Sequence, residues 1–486
     1  MTTRRRRVPV RVVGALTSLW LLVLVGGGSA WADGPQDGLW WFEAMGVPEV
    51  HTQGATGAGV TIAVIDGGIN TAVPTLEGAD IRVHEPSFCA PQDTPGEYLP
   101  AEYPEYDDDS AHGTNVVSML VGNGRGYHGE VGTSGIAPDA SILFYALRVD
   151  HACGEQVPGG GLADLMAAAI VQAVDDGADI ISISVGGGND TDLADARAYA
   201  ISRGVVIVQS MNNEFTREAL PVSRITDPLN GVVLVQAVGP DREPATEGAR
   251  SAGEGVTVMA PGAQILLVGD RDTQVWETWR ISGGSSFATP LVAGMLADTW
   301  SVYPEATGNQ LLQSLIRNTG SEEHELTYHS LYGYGLASVH RMVQVDPTQY
   351  PDVNPLIEAD GYNEFDYTAQ EIAEAERPSW APPLVQDAGA GEPVATATPS
   401  AGSGVPPVVA EPEGAGVATG VWIGAGAGVV AVLVVAAVLI ARAQSRTTTT
   451  PHPQPGAEQP VRWAHGPNGA AGPTMPQGHS LETDRP

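Results

Sequence analysis

The sequence predicts an α/β protein, one large domain on a mostly parallel sheet with helices on both faces, followed by a transmembrane helix. Three observations predict it. Between about Gly57 and Val345, short runs rich in β-branched residues alternate with longer stretches of helical periodicity. The strand runs are apolar almost throughout instead of alternating, as strands buried on both faces are. Near the C-terminus lies an uncharged apolar run long enough to cross a hydrocarbon core.

Taken in order, residues 1–32 have the layout of a secretory signal peptide. Arg4 to Arg7 and Arg11 precede the apolar VVGALTSLWLLVLVGG, and Ala30-Trp31-Ala32 offers small residues for cleavage. As an uncleaved anchor the run is short. Residues 33–56 form an N-terminal extension.

Residues 57–345 carry the domain. TIAVID, ADIISISV, GVVIVQS, GVVLVQAVG and GVTVMAPG are its strand candidates. GLADLMAAAIVQAVDDG places Leu162, Leu165, Met166, Ala169, Ile170, Ala173 and Val174 on one helical face, and Gly177 ends it. TDLADARAYAISRG and LLQSLIRNTG are further helices.

Residues 346–419 turn to proline, alanine, glycine and glutamate, the composition of an extended acidic linker. Residues 420–441 are the membrane helix, with Arg442 and Arg446 placing its C-terminal end in the cytoplasm. Gly420, Gly424 and Gly428 repeat at the spacing that lets a second helix approach closely. Residues 442–486 read as a disordered cytoplasmic tail. The expected product is a single-pass cell-membrane protein with its large domain outside.

Charge and cysteine content bound the partners. There are 57 acidic residues against 23 basic ones, every one an arginine, for a net charge of −34. Most of the excess lies between signal and membrane helix, which argues against nucleic acid or anionic lipid as partners of that part. Cys89 and Cys153 are the only cysteines, and in an oxidising compartment they read as one disulfide stapling two loops. The run Asp107-Asp108-Asp109 raises the question of calcium. It lacks the glycine and alternating spacing of a calcium loop and reads as a solvated charge cluster.

Three stretches carry chemistry. TIAVID ends in Asp66 followed by Gly67-Gly68, a turn that presents a carboxylate at the carboxyl end of a strand; alone, it is also an ordinary turn. In AHGTNVVSMLVG, His112 opens a helical run beside a glycine, a setting that suits a general base and equally a capping histidine. In ISGGSSFATPLVAG, Pro290 lacks an N–H and so frees the carbonyl of Ser286. Ser286 then stands at a helix N-terminus, where unpaired N–H groups favour developing negative charge. An N-cap serine would look the same.

The order Asp66, His112, Ser286 is a known triad order. VIDGGIN, HGTNVV and GGSSFATPLVAG resemble the three signatures of the subtilisin-like serine peptidases, and their spacing agrees across residues 57–345. The resemblance implies a three-layer subtilisin-like fold and a peptide-hydrolysing triad of Asp66, His112 and Ser286, with Ser285 only a neighbour. It puts the oxyanion-hole amide on Asn213 and the edge that binds an extended substrate on Ser184, Val185, Gly186 and Gly187. It implies no cofactor and no catalytic metal. Gly67 and Ser285 depart from the family pattern, which has serine or threonine at the first position and threonine at the second.

Only about twenty-five residues separate Ala32 from TGAGVTIAVID, too few for a separately folded propeptide. With the acidic loop before His112, the linker and the anchor, this plan resembles the mycosins, membrane proteases of type VII secretion systems. That implies a polypeptide substrate and a membrane secretion complex as partner. Two other readings fit the same plan: a scaffold for such a complex with peptidase activity secondary, and a general surface subtilase.

Overall fold

The computed structural model describes residues 34–381, apart from 92–93, 95, 150–152, 154–160, 187–190, 212–228, 246–254, 322–323 and 362–365. The chain divides into two units after Ala390, and these residues all belong to the first. The expected signal peptide, membrane helix and cytoplasmic tail lie outside them, as does the linker beyond 381. Among the described residues no helix is long and apolar enough to cross a membrane.

The strands are β1 (Thr61–Asp66), β2 (Ile81–Val83), β3 (Asn123–Arg125), β4 (Val131–Ser134), β5 (Ser141–Ala146), β6 (Ile180–Ile183), β7 (Val206–Ser210), β8 (Val233–Val238), β9 (Val258–Pro261), β10 (Ile265–Asp270) and β11 (Val275–Ser282). Seven of them form one sheet in the order β2-β5-β1-β6-β7-β8-β9, and every pairing is parallel. The hairpins β3–β4 and β10–β11 stand apart and are antiparallel.

The helices are α1 (Trp40–Ala44), α2 (Val47–Thr52), α3 (Asp108–Val121), α4 (Leu162–Asp175), α5 (Thr191–Ser202), α6 (Ser285–Val302), α7 (Gly308–Arg317), α8 (Val339–Met342) and α9 (Ala369–Ala373). Strand β1 shows how the layers are held. Its Ile62 and Val64 join a core with Val116, Leu120, Leu291 and Leu296 of α3 and α6. Its Ala63 and Ile65 join a second core with Met166, Ile170 and Tyr199 of α4 and α5. Period-two alternation sends successive side chains to opposite faces, so an all-apolar strand feeds both cores. Each such isoleucine contributes about 1.5–3 kcal/mol of burial.

The expected parallel α/β architecture is therefore observed, with its five strand candidates and three helix candidates in place. Strands β2 and β5 and the two hairpins go beyond the expectation. The sheet reverses direction of growth at β1, with β5 on one side and β6 on the other. That switch point leaves a crevice at the carboxyl end of β1, where Asp66 sits.

Both ends of the domain reach further than composition suggested. In the N-terminal extension Trp41, Val47 and Val50 are buried, and Trp40 Nε1 donates to the Ala263 carbonyl at 3.0 Å. The described residues between Asp346 and Ala381, expected to open the linker, pack along the domain. Asn230 Nδ2 donates to the carbonyls of Glu358 and Tyr367, and Arg377 pairs with Asp175 at 2.9 Å. A few anchors such as Tyr367, Arg377 and Trp380 decide this, and a composition average over the proline-rich stretch hides them. Cys89 and Cys153 form a disulfide, S–S 2.03 Å.

Candidate active site

Asp66, the last residue of β1, is fully buried. Its Oδ1 accepts the Gly67 N–H and a bond from His112 Nδ1, both at 2.7 Å. A carboxylate can only accept, so Nδ1 carries the proton and Nε2 keeps its lone pair. Oδ2 is buried with no partner among the described residues. The turn after Asp66 is held by the residues that follow β5: Leu147 N–H donates to the Asp66 carbonyl at 2.7 Å and Arg148 N–H to that of Gly67 at 2.9 Å.

Why glycine follows Asp66 is a matter of space. A Cβ on Gly67 would meet Asp109 Oδ1 at 2.8 Å and the Asp109 carbonyl at 2.9 Å. One on Gly68 would meet a guanidinium nitrogen of Arg148 at 2.4 Å. The first turn of α3 lies too close for the serine or threonine of the family pattern.

Helix α3 is capped by Asp107, whose side chain accepts the Ser110 N–H at 2.6 Å. Arg148, only 3% exposed, donates to Asp107 Oδ2 and to Ser110 Oγ, each at 3.0 Å. Its backbone is left-handed, φ 52°, a conformation costly for a non-glycine residue by about 1–2 kcal/mol. Asp109 is 2% exposed, and Asp108 pairs with Arg271 at 2.8 Å. The acidic run is therefore not a solvated cluster. Its three carboxylates cap, support and flank the helix that carries His112, and the dipole favours them there.

About one third of the His112 side chain is open to solvent. Burial pushes the imidazole down, but the Asp66 carboxylate, its hydrogen bond and Asp109 outweigh burial, with Arg280 opposing. The net result is a histidine that protonates more readily than usual.

Ser285 and Ser286 open α6, and they face different ways. Ser285 is fully buried and its hydroxyl donates to the Met211 carbonyl. Ser286 is 7% exposed, and its Oγ bonds to no other described residue. The carbonyl of Ser286, freed by Pro290, accepts the Ser184 hydroxyl at 2.9 Å. Phe287 sets its ring 5.6 Å from the His112 ring, so the first turn of α6 adjoins the imidazole. The structure thus joins Asp66 to His112 directly and puts Ser286 in the neighbouring helical turn. In a substrate-free site the nucleophile–base bond is commonly open.

A cleft of about 330 Å³ runs past His112, bordered by Asp109, Ser184, Val185, Gly186 and Arg280. Val185 is buried and Gly186 exposed. The Ser184 side chain is turned inward to α6, so on that residue only the backbone faces the cleft. Gly187 and Asn213 lie outside the described residues, although Met211, two residues before Asn213, is tied to Ser285. Among the described residues no group of three or more acidic, histidine or cysteine side chains is placed to hold a metal ion.

Sequence reading missed Asp109, Arg148 and Arg280. A carboxylate three residues before His112 on one helix was a usable signal for the first. Arg148 is separated from Ser110 by 38 positions, and nothing in its local sequence points there.

A sequence profile described as the subtilase family matches residues 57–335. Subtilisin E of Bacillus subtilis (strain 168) is 30% identical over 298 residues, covering 61% of this chain and 69% of its own. Fervidolysin of Fervidobacterium pennivorans is 30% identical over 331 residues, covering 64% of this chain and 44% of its own. Among solved structures, the MycP3 protease from the type VII (ESX-3) secretion system aligns at 22% identity with TM-score 0.45, over 64% of this chain and 89% of that one.

Proposed function

We propose, from the premise that the chain belongs to the subtilase family and is a subtilisin-like serine endopeptidase, that Asp66, His112 and Ser286 are its triad. The observation that carries this is the 2.7 Å bond from His112 Nδ1 to a fully buried Asp66. Ser286 Oγ attacks the scissile carbonyl carbon while Nε2 of His112 takes its proton. Asp66 holds the tautomer and stabilises the imidazolium. The oxyanion accepts from the Ser286 N–H at the α6 N-terminus and from Asn213. The C–N bond breaks as His112 returns the proton to the leaving amine, and water then releases the acyl group by the same route. Ser184 to Gly187 offer backbone to an extended substrate.

The site belongs, in this proposal, to a protein exported by residues 1–32 and anchored by residues 420–441, with the catalytic domain outside. The short extension, acidic loop, spacer and anchor support a mycosin-like role in type VII secretion, processing secreted proteins beside a membrane complex. The Gly424 and Gly428 face suits helix contact within that complex.

Fluorophosphonate labelling of the full chain tests the triad. Labelling lost in Ser286→Ala and retained in Ser285→Ala is expected. Equal loss in both, or no labelling of the folded wild type, would overturn it, and the scaffold reading would then lead.

A further inference from the structure

Arg280 lies on β11, opposite Leu267 of β10, and borders the cleft beside His112. Among the described residues it makes no hydrogen bond and no ion pair, and its Nε is buried without an acceptor. Its surroundings repeat that pattern. Tyr106 Oη and Trp276 Nε1 are also buried without partners, their rings 5.1 Å apart, and the Arg280 charge is felt at the Tyr106 hydroxyl. Trp276 and Arg280 share one face of β11.

The nearby carboxylates are engaged elsewhere. Asp108 is held by Arg271 at 2.8 Å and Asp107 by Arg148 at 3.0 Å. Asp270 feels the Arg280 charge but makes no ion pair with it, and its Oδ1 accepts the N–H groups of Asp272 and Thr273 in the hairpin turn. Asp109 is buried against Gly67. In a chain with 57 acidic residues for 23 arginines, an arginine on the rim of the cleft with no carboxylate of its own leaves its guanidinium N–H groups available to an acceptor from outside.

We propose that Arg280 forms a substrate subsite for a carboxylate, the side chain of an aspartate or glutamate in the polypeptide being cut. The proposal rests on the peptidase reading and deepens it by naming a substrate class. A guanidinium receives a carboxylate through paired N–H donors, which gives geometry as well as charge selection. The subsite also bears on the chemistry. Arg280 opposes protonation of His112, so a substrate carboxylate that neutralises it eases formation of the imidazolium. Acidic substrates then gain in kcat as well as in affinity.

The test uses the full-length chain and quenched fluorescent peptide libraries with aspartate, asparagine or arginine at each position around the scissile bond. At one position aspartate is expected to exceed asparagine in kcat/KM by about tenfold or more. Arg280→Gln should lose that preference, Arg280→Lys keep it in weakened form, and Arg280→Glu turn it toward arginine. Arg271→Gln, whose partner is Asp108, should keep it. No position favouring aspartate, or a preference that survives Arg280→Gln, overturns the subsite. Fluorophosphonate labelling run alongside reports on the triad separately. Should the wild type fail to label, affinity of the Ser286→Ala chain for the aspartate and asparagine libraries decides the subsite, and equal affinity refutes it.

Discussion

Replacing Ser184 by alanine should destabilise the domain through a carbonyl on another element. Pro290 cannot donate to the Ser286 carbonyl, and the Ser184 hydroxyl does so instead at 2.9 Å across 102 positions of sequence. Both residues are buried, so the alanine variant leaves a buried acceptor without a donor, a cost of about 1–3 kcal/mol. Proline at 290 creates the need, which gives an internal control. In Pro290→Ala the backbone N–H can bond to the Ser286 carbonyl within the helix, and the Ser184 hydroxyl becomes redundant. Ser184→Ala should then cost less than about 1 kcal/mol in the Pro290→Ala background, a coupling of 1 kcal/mol or more. Chemical denaturation of the four proteins measures it, and fluorophosphonate labelling rates show whether Ser286 has moved. Equal cost of Ser184→Ala in both backgrounds would refute the reasoning.

On the proposed mechanism His112 must be neutral to act as base, and since its pKa is raised above 6.5 the acid limb of kcat/KM should lie above that value. Asp109→Asn, removing one of the raising charges, should move the limb to lower pH, and a limb that stays put would count against the assignment. For stability, the same pairing contributes fully below the unfolded histidine value near 6.5 and fades as pH rises through the folded one. Arg148→Met should lower kcat by roughly 10–100-fold with little change in KM, since it loosens both the Asp66 turn and the α3 cap, and Arg148→Lys should restore part of it. A fall in KM-related binding alone would make Arg148 merely structural. Asp298 in α6 is fully buried with neither oxygen bonded among the described residues, and burial, with Asp139 second, pushes its carboxyl well up. A raised carboxyl loses stability as pH climbs above its unfolded value of 3.8, so Asp298→Leu should stabilise the domain more at pH 8 than at pH 4, read by denaturation. Identical gains at both pH values would show that Asp298 is satisfied.

The sheet was legible in the sequence alone, and so were the residues proposed here as the triad. An apolar strand such as TIAVID can only be buried on two faces, and its terminal Asp66 must then emerge at the carboxyl end where parallel sheets open. His112 and the Ser285-Ser286 pair were legible because their neighbours, a glycine and a proline, constrain backbone locally. The missing N–H of Pro290 even foretold the free carbonyl of Ser286.

Everything set by side chains meeting across the fold came only with the folded chain. Gly67 is required by Asp109 coming within 3 Å of where a Cβ would be, a distance that no reading of VIDGG contains. Arg148 acts on the helix of His112 from beyond β5, and Ser184 turns from the cleft to satisfy α6. The acidic run before His112 became a capped and paired helix start because arginines from two other segments reach it. Composition and periodicity describe what a residue does to its own stretch of chain. Burial, pairing and close approach depend on which distant stretch arrives beside it, and that is fixed only when the sheet has brought the strand ends together.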